Sequence, residues 1–216
     1  MVHNFSKEHS LISNWVSELR CIDIQKDRMR FRRNLERIAE VIGYEISKNM
    51  ETEDVEITTP MGRANCKILK DQPVLATILR AGLAMHNGLL SYFDRADNAF
   101  LSAYRKHNPD GTFEIALEYM SCPPIDGRVV IVSDPMLATG ASLVKAIQYI
   151  RDAGDIKELH VVCAIATTKG IETLLKAEPT ATIWCGAIDN DLSAKGYILP
   201  GLGDAGDLAY GAKMQQ

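Results

Sequence analysis

The sequence contains no apolar run that approaches the roughly 20 residues needed to cross a bilayer. Its first ten residues, MVHNFSKEHS, lack an apolar core, so no secretory signal is expected. Charge of one sign is also missing. Lys and Arg number 24 against 28 Asp and Glu, a formal net charge of −4. Bulk attraction to nucleic acid or to an anionic membrane is therefore not expected, although a local basic site for a small anion is still open. Paired cysteines are absent. The five cysteines, at 21, 66, 122, 163 and 185, include no CxxC. The odd count, and the placement of Cys163 and Cys185 inside apolar runs, read as reduced thiols of a cytoplasmic protein, with no structural zinc site. The chain also shows no internal repeat, no low-complexity tract and no linker between domains.

What is present has the balance of an ordinary globular chain: 216 residues, 46% apolar and 24% charged. That length suits one domain with a substantial core. The first fifty residues read as helical. Between Arg28 and Lys48, Met29, Leu35, Ile38, Ala39, Ile42 and Ile46 recur at spacings of three, four and seven, which predicts one apolar helix face. The basic run Arg28, Arg30, Arg32 and Arg33 shares this helix with Glu36 and Glu40 and reads as a solvated face. Residues 55–69 alternate around Pro60-Met61-Gly62 as a hairpin.

From residue 73 the pattern changes to short apolar runs separated by helical periodicities. PVLATIL, NAFLSAY, VVIVS, HVVCAIA and ATIWCGAI predict strands, with helices after Gly82 and Ser142 and over 169–177. Such alternation predicts βαβ units and a parallel sheet, an α/β fold. Asn108-Pro109-Asp110-Gly111 marks a turn in a projecting hairpin over 106–120. The five histidines show no ligand spacing. His160 reads as structural, and Trp15 and Trp184 read as packing residues.

The stretch VVIVSDPMLATGAS at 129–142 carries the most chemical information. In an open parallel sheet, ligands bind beyond the carboxyl ends of the strands, and this stretch leaves a strand there for a helix. Free N–H groups and the helix dipole favour an anion at that point. Thr139, Gly140, Ala141 and Ser142 supply hydroxyls and an unobstructed backbone. The stretch has neither the GxxxxGK[ST] of a nucleotide P-loop nor the GxGxxG of a dinucleotide site. By residue type alone, two readings stand: a cradle for a terminal monophosphate, with Asp134 placed for sugar hydroxyls, or an ordinary capped turn. Likewise, Arg80 alone reads as a surface loop arginine, and GLGDAGD alone as a flexible glycine loop.

Four segments together decide more. DPMLATGAS at 134–142 resembles the phosphoribosyl-pyrophosphate (PRPP) loop of the uracil phosphoribosyltransferases. ILRAGLAM at 78–85 resembles their pyrophosphate loop, AYR at 103–105 their second arginine, and GYILPGLGDAGDLAYG at 196–211 their base-binding tail. The segments are co-linear, and weaker similarity begins near His9. The resemblance implies a type I phosphoribosyltransferase fold on a single domain, 1–216: a parallel sheet with flanking helices, an N-terminal helical extension (1–50), a β-hairpin flap (105–120) and a C-terminal hood (189–211) over the base. It implies transfer of phosphoribose from PRPP to uracil, giving UMP and pyrophosphate. The rival it leaves is a non-catalytic sensor of PRPP or UMP on the same fold.

The resemblance assigns Arg80, Arg105 and Asp204 to the reaction. It assigns Arg80, Arg105, Asp134, Pro135, Met136, Leu137, Ala138, Thr139, Gly140, Ala141, Ser142 and Asp204 to PRPP. Uracil falls to Ile198, Gly203, Asp204 and Ala205. Mg²⁺ is expected through PRPP and water near Asp204 rather than on direct protein ligands. A strained backbone, in related transferases often a non-proline cis peptide, is expected near 79–81. GTP is a candidate effector, and a homodimer or homotetramer is the expected assembly. The chain departs from the family after Arg105, where KHNPDG stands in place of acidic residues, and at Ala141, where glycine is commoner.

Overall fold

β-branched and aliphatic runs bounded by turn residues form the centre of the molecule, because such strands can bury both faces. The structure is a computed structural model. It describes the backbone of residues 1–107 and 113–213, and their side chains except over 103–107 and 113–117. In chain order the elements are β1 (Val2–Asn4), α1 (Leu11–Arg20), α2 (Arg28–Ser47), β2 (Thr52–Thr59), β3 (Gly62–Leu69), β4 (Val74–Leu79), α3 (Leu83–Tyr92), β5 (Asp97–His107), β6 (Phe113–Ser121), β7 (Arg128–Ser133), β8 (Met136–Leu137), α4 (Ala141–Arg151), β9 (Ile156–Thr167), α5 (Thr168–Ala177), β10 (Thr182–Asp189), β11 (Asp191–Leu192), β12 (Ile198–Leu199) and α6 (Ala205–Tyr210).

The main sheet runs β1-β10-β9-β7-β4-β5-β6, with β8 beside β9. All its pairs are parallel except β5 with β6. The parallel register brings the carboxyl ends of β4, β7, β9 and β10 to one edge, with Thr77 opposite Ser133 and Asp189 opposite Thr167. The hairpin β2–β3 forms a separate two-stranded sheet, as its alternation predicts. The short β1 had no sequence signal. It gains its place by pairing Val2–Asn4 with Ile183–Cys185, and by the Met1 amino group donating to Ala181 O.

Two apolar layers cover the sheet. On one side, α2 buries Leu35, Ile38, Ala39, Ile42 and Ile46, joined by α3 through Met85 and Leu89. On the other, α4 and α5 bury Leu143, Ile147, Ile150 and Leu174. Each such Leu, Ile or Met side chain contributes about 1.5–3 kcal/mol by leaving water. Met29, expected on the apolar face of α2, is 70% exposed, and Phe31 is buried in that layer instead. Met29 lies in the first turn, beyond the reach of the sheet. Asp27 ends the chain's approach to α2 by accepting the Arg30 N–H, a normal N-cap.

Trp184 and His160 pack in the sheet as expected. The indole Nε1 donates to His160 Nδ1 at 3.1 Å, while His3 stacks on the indole at 3.9 Å between centroids. Burial and the neighbouring His3 push His160 down to about 4, so it is neutral at physiological pH.

Candidate active site

The edge where β4 and β7 end is drawn tight by two buried hydroxyls. Thr77 Oγ1 donates to Ser133 O at 3.2 Å, and Ser133 Oγ donates to Ala76 O at 3.3 Å. Directly after β4, the Leu79–Arg80 peptide is cis, as the resemblance implies. Gly82 follows. A side chain there would clash with Thr77 Oγ1 and lie 2.7 Å from Ser133 O. The glycine therefore lets the 80–82 loop rest against the start of the 134–142 bend.

That bend is held by its neighbours as well as by its own side chains. Pro135 O accepts from both Ala164 N and Ile165 N at 3.0 Å. Met136 and Leu137 then form β8, a short parallel strand that the sequence did not signal. Ala138 O accepts from Thr167 Oγ1, which in turn accepts the Gly170 N–H at 2.9 Å. A side chain on Gly170 would clash with Ala138 O and sit 2.6 Å from Leu137 O. Gly140 takes φ +83°, the left-handed region that glycine enters freely. It precedes α4, whose N-terminus has no side-chain cap. Within the turn, Thr139 Oγ1 accepts the N–H of Ala141, the first residue of α4, at 3.4 Å, and the helix starts at the carboxyl edge of the sheet.

Asp134 uses Oδ1 to accept the Met136 N–H at 3.2 Å. Burial raises its carboxyl to about 7, partly opposed by that hydrogen bond. Part of the side chain still faces solvent, which limits the effect.

The tail is more ordered than its glycine content predicts. Leu192 and Ile198 pair in the β11–β12 hairpin, a cis Leu199–Pro200 bond follows, and α6 closes the segment. Ile198 and Ala205 are buried, whereas Gly203 is exposed and Asp204 half-buried. Asp204 is the N-cap of α6, with Oδ1 accepting the Asp207 N–H at 3.0 Å. Its carboxylate is thus fixed in direction by the fold.

Arg80 joins the 78–85 loop to the 196–211 tail. Nη2 meets Asp207 Oδ1 at 3.1 Å and Nη1 donates to Gly211 O at 3.2 Å. Gly206 lies between them, its Cβ position 3.8 Å from both Ala81 Cβ and Arg80 Nη2. The structure therefore brings Arg80, the entrance to the 134–142 bend and the 203–211 tail together. Arg105 lies in β5 opposite Ile115, but its side chain and the flap turn at 108–112 lie outside the described residues.

A model of the uracil phosphoribosyltransferase family matches residues 6–212. The chain belongs to the uracil phosphoribosyltransferase family. It is 48% identical over 214 residues to the uracil phosphoribosyltransferase of Porphyromonas gingivalis, covering 99% of each chain. A solved Aquifex aeolicus protein superposes with a TM-score of 0.86 at 31% identity, covering 100% of both chains. A hypoxanthine phosphoribosyltransferase of Staphylococcus aureus shares the fold alone, with a TM-score of 0.51 at 14% identity over 74% of this chain and 76% of that one. The chain is thus an α/β protein with a type I phosphoribosyltransferase-like fold.

Several residues that shape this candidate site carry little local signal in the sequence. Arg20 grips Asp189 at the end of β10, and Asp189 Oδ2 also accepts the Gly201 N–H at 3.0 Å. Arg32, read as part of a solvated basic face, instead donates to Ala209 O at 2.6 Å and lies over Tyr210. Only part of that face is a surface network: Arg30 pairs with Glu18, and Arg33 with Glu36 and Glu40. The available signal was a charged residue closing a buried strand, at Asp189, and an arginine one position off an otherwise polar stripe, at Arg32.

Proposed function

We propose that the chain transfers the phosphoribosyl group of PRPP to uracil, giving UMP and pyrophosphate, and that its three converging segments divide the substrates between them. The observation that carries this assignment is the meeting of Arg80 with the tail beside the entrance to the 134–142 bend. Departure of pyrophosphate builds negative charge on the leaving group and positive charge on the ribose C1. Groups that bind the first charge more tightly as it develops speed the reaction.

Arg80 is suited to the pyrophosphate. A guanidinium has five N–H donors in one plane, and two are used on Asp207 and Gly211. The remaining donors can meet phosphate oxygens in pairs. The uncapped start of α4, with Thr139 through Ser142, takes the 5′-phosphate. Asp134 accepts from the ribose hydroxyls. Gly203, Asp204, Ala205 and Ile198 read the uracil carbonyls and N3–H through rigid backbone groups. A mismatched amino group, as in cytosine, would leave one of these unpaired. Arg105 is assigned to the pyrophosphate from the flap.

Mg²⁺ fits as a partner of PRPP. It favours substrate phosphates and water, with one or two carboxylates, over an all-protein cage. Among the described residues no three His, Cys, Asp or Glu side chains meet to form such a cage. Asp204, held in place as the α6 cap, is the carboxylate we assign to its water shell. We place the enzyme in the cytoplasm as a homo-oligomer; among the described residues no helix is long and apolar enough to cross a membrane. GTP as effector would need positive charge that α2 has largely committed, since Arg30, Arg32 and Arg33 are already engaged.

The test is direct. Purified protein with PRPP, Mg²⁺ and labelled uracil yields labelled UMP and pyrophosphate. Retained PRPP binding without turnover would overturn the reading in favour of a sensor.

A further inference from the structure

Arg80 and the base-reading loop are joined through one side chain. Asp207 receives Arg80 Nη2 on Oδ1 at 3.1 Å, and its own N–H donates to Asp204 Oδ1 at 3.0 Å. Asp204 sits between Gly203 and Ala205, in the loop assigned to uracil. A continuous path of hydrogen bonds therefore runs from that loop to the guanidinium assigned to pyrophosphate. At Gly206 the first turn of α6 comes within van der Waals distance of Ala81 and Arg80. The far end of α6 is held independently, by Arg32 on Ala209 O.

We propose that Asp207 is a positioning residue that couples the two substrate subsites, so that ordering of the 203–205 loop by the base orients Arg80 toward pyrophosphate. The inference rests on the assignment of Arg80 to pyrophosphate and of the loop to uracil. The ion pair is half-exposed on both sides, 43% for Arg80 and 37% for Asp207. In that setting a pair has a small effect on stability, because water screens it and both side chains are otherwise free to move. A two-point hold, Asp207 and Gly211 O together, selects one direction of the guanidinium plane and leaves its other donors turned to the ligand. When the tail loosens, both points loosen together.

The experiment uses uracil and pyrophosphate, which cannot react with one another. Magnesium pyrophosphate is titrated calorimetrically into the full chain with and without saturating uracil. In the wild type, uracil tightens pyrophosphate by about threefold, within the range of a half-exposed ion pair, and pyrophosphate tightens uracil by the same factor. In Asp207→Asn, which keeps the backbone N–H bond to Asp204, the ratio falls to about one while the far-UV circular dichroism is unchanged. Asp207→Glu recovers part of it. A ratio of one in the wild type, or an unchanged ratio in Asp207→Asn, overturns the inference. If Asp207→Asn does not fold, Arg80→Lys carries the same comparison, since an ammonium cannot hold both tail acceptors in one plane; an unchanged ratio there overturns it equally. Arg80→Ala separates the two levels. Wild-type pyrophosphate affinity in that variant removes the assignment of Arg80 itself, whereas its loss, together with an unchanged ratio in Asp207→Asn, removes only the coupling.

Discussion

Arg20 holds Asp189 with a two-pronged ion pair, Nη1 to Oδ2 at 2.8 Å and Nη2 to Oδ1 at 2.7 Å. The same guanidinium reaches Gly201 O at 3.1 Å, and Asp189 Oδ2 receives Gly201 N–H. A helix from the N-terminal region thereby clamps the turn that aims the tail. Asp189 is nearly inaccessible, with its side chain 7% exposed. Arg20→Ala leaves that carboxylate buried and unpaired, which costs about 3 kcal/mol. We expect a melting temperature lower by roughly 6 °C or more, and a KM for uracil raised more than that for PRPP. Equal KM effects on both substrates would show that the clamp does not act through the tail.

Asp134 predicts a pH dependence. Its folded value, raised to about 7, lies above the ordinary 3.8. The neutral carboxyl is favoured by the fold, so its contribution to stability is complete below about 3.8 and is lost as pH rises toward 7. Binding runs the other way, because an ionised carboxylate is the stronger acceptor for ribose hydroxyls. We expect kcat/KM for PRPP to rise through an inflection near pH 7, and Asp134→Asn to lose that inflection. Retention of the inflection in the variant would assign it to another group.

Gly170 tests how the phosphate bend is held. It lies outside the bend, yet a methyl group there would clash with Ala138 O and lie 2.6 Å from Leu137 O. Gly170→Ala must push the bend or α5 aside, at a cost of about 1–3 kcal/mol. The expected result is a lower melting temperature with a higher KM for PRPP. A normal KM for PRPP would mean that α5 moves and the bend does not.

Ala141 departs from the commoner glycine but stands at the exposed first residue of α4. Its methyl group meets solvent in an ordinary helical position. Ala141→Gly therefore costs about 0.5–1 kcal/mol of helix stability and leaves the KM for PRPP within about twofold. A large improvement in PRPP binding would show that the methyl narrows the cradle.

The longer strands, the helices α2 through α5 and the order of the ligand-binding segments were legible in the sequence, whereas the two- and three-residue strands β1, β8, β11 and β12 were not. Apolar runs of strand length and a 3.6-residue periodicity are local properties, and the type of each element follows from them. The anion-binding character of 134–142 was legible for the same reason: small and hydroxyl residues follow a buried strand directly. Contacts between distant residues were not. Arg20 with Asp189, Arg32 with Ala209 and Arg80 with Asp207 are each separated by more than 100 positions. Each charged residue alone looks like a solvated surface group, because nothing in its local pattern states which backbone will arrive beside it. The glycine-rich tail shows this most clearly. Its composition reads as a flexible loop, and the hairpin and capped helix it forms are held in place by three arginines, carried on other elements, that supply its carbonyls and carboxylates with partners. The sequence by itself determined which chemical groups this protein has; the tertiary structure decided which of them meet, since pairing across the fold depends on the packing of whole elements and not on any one segment.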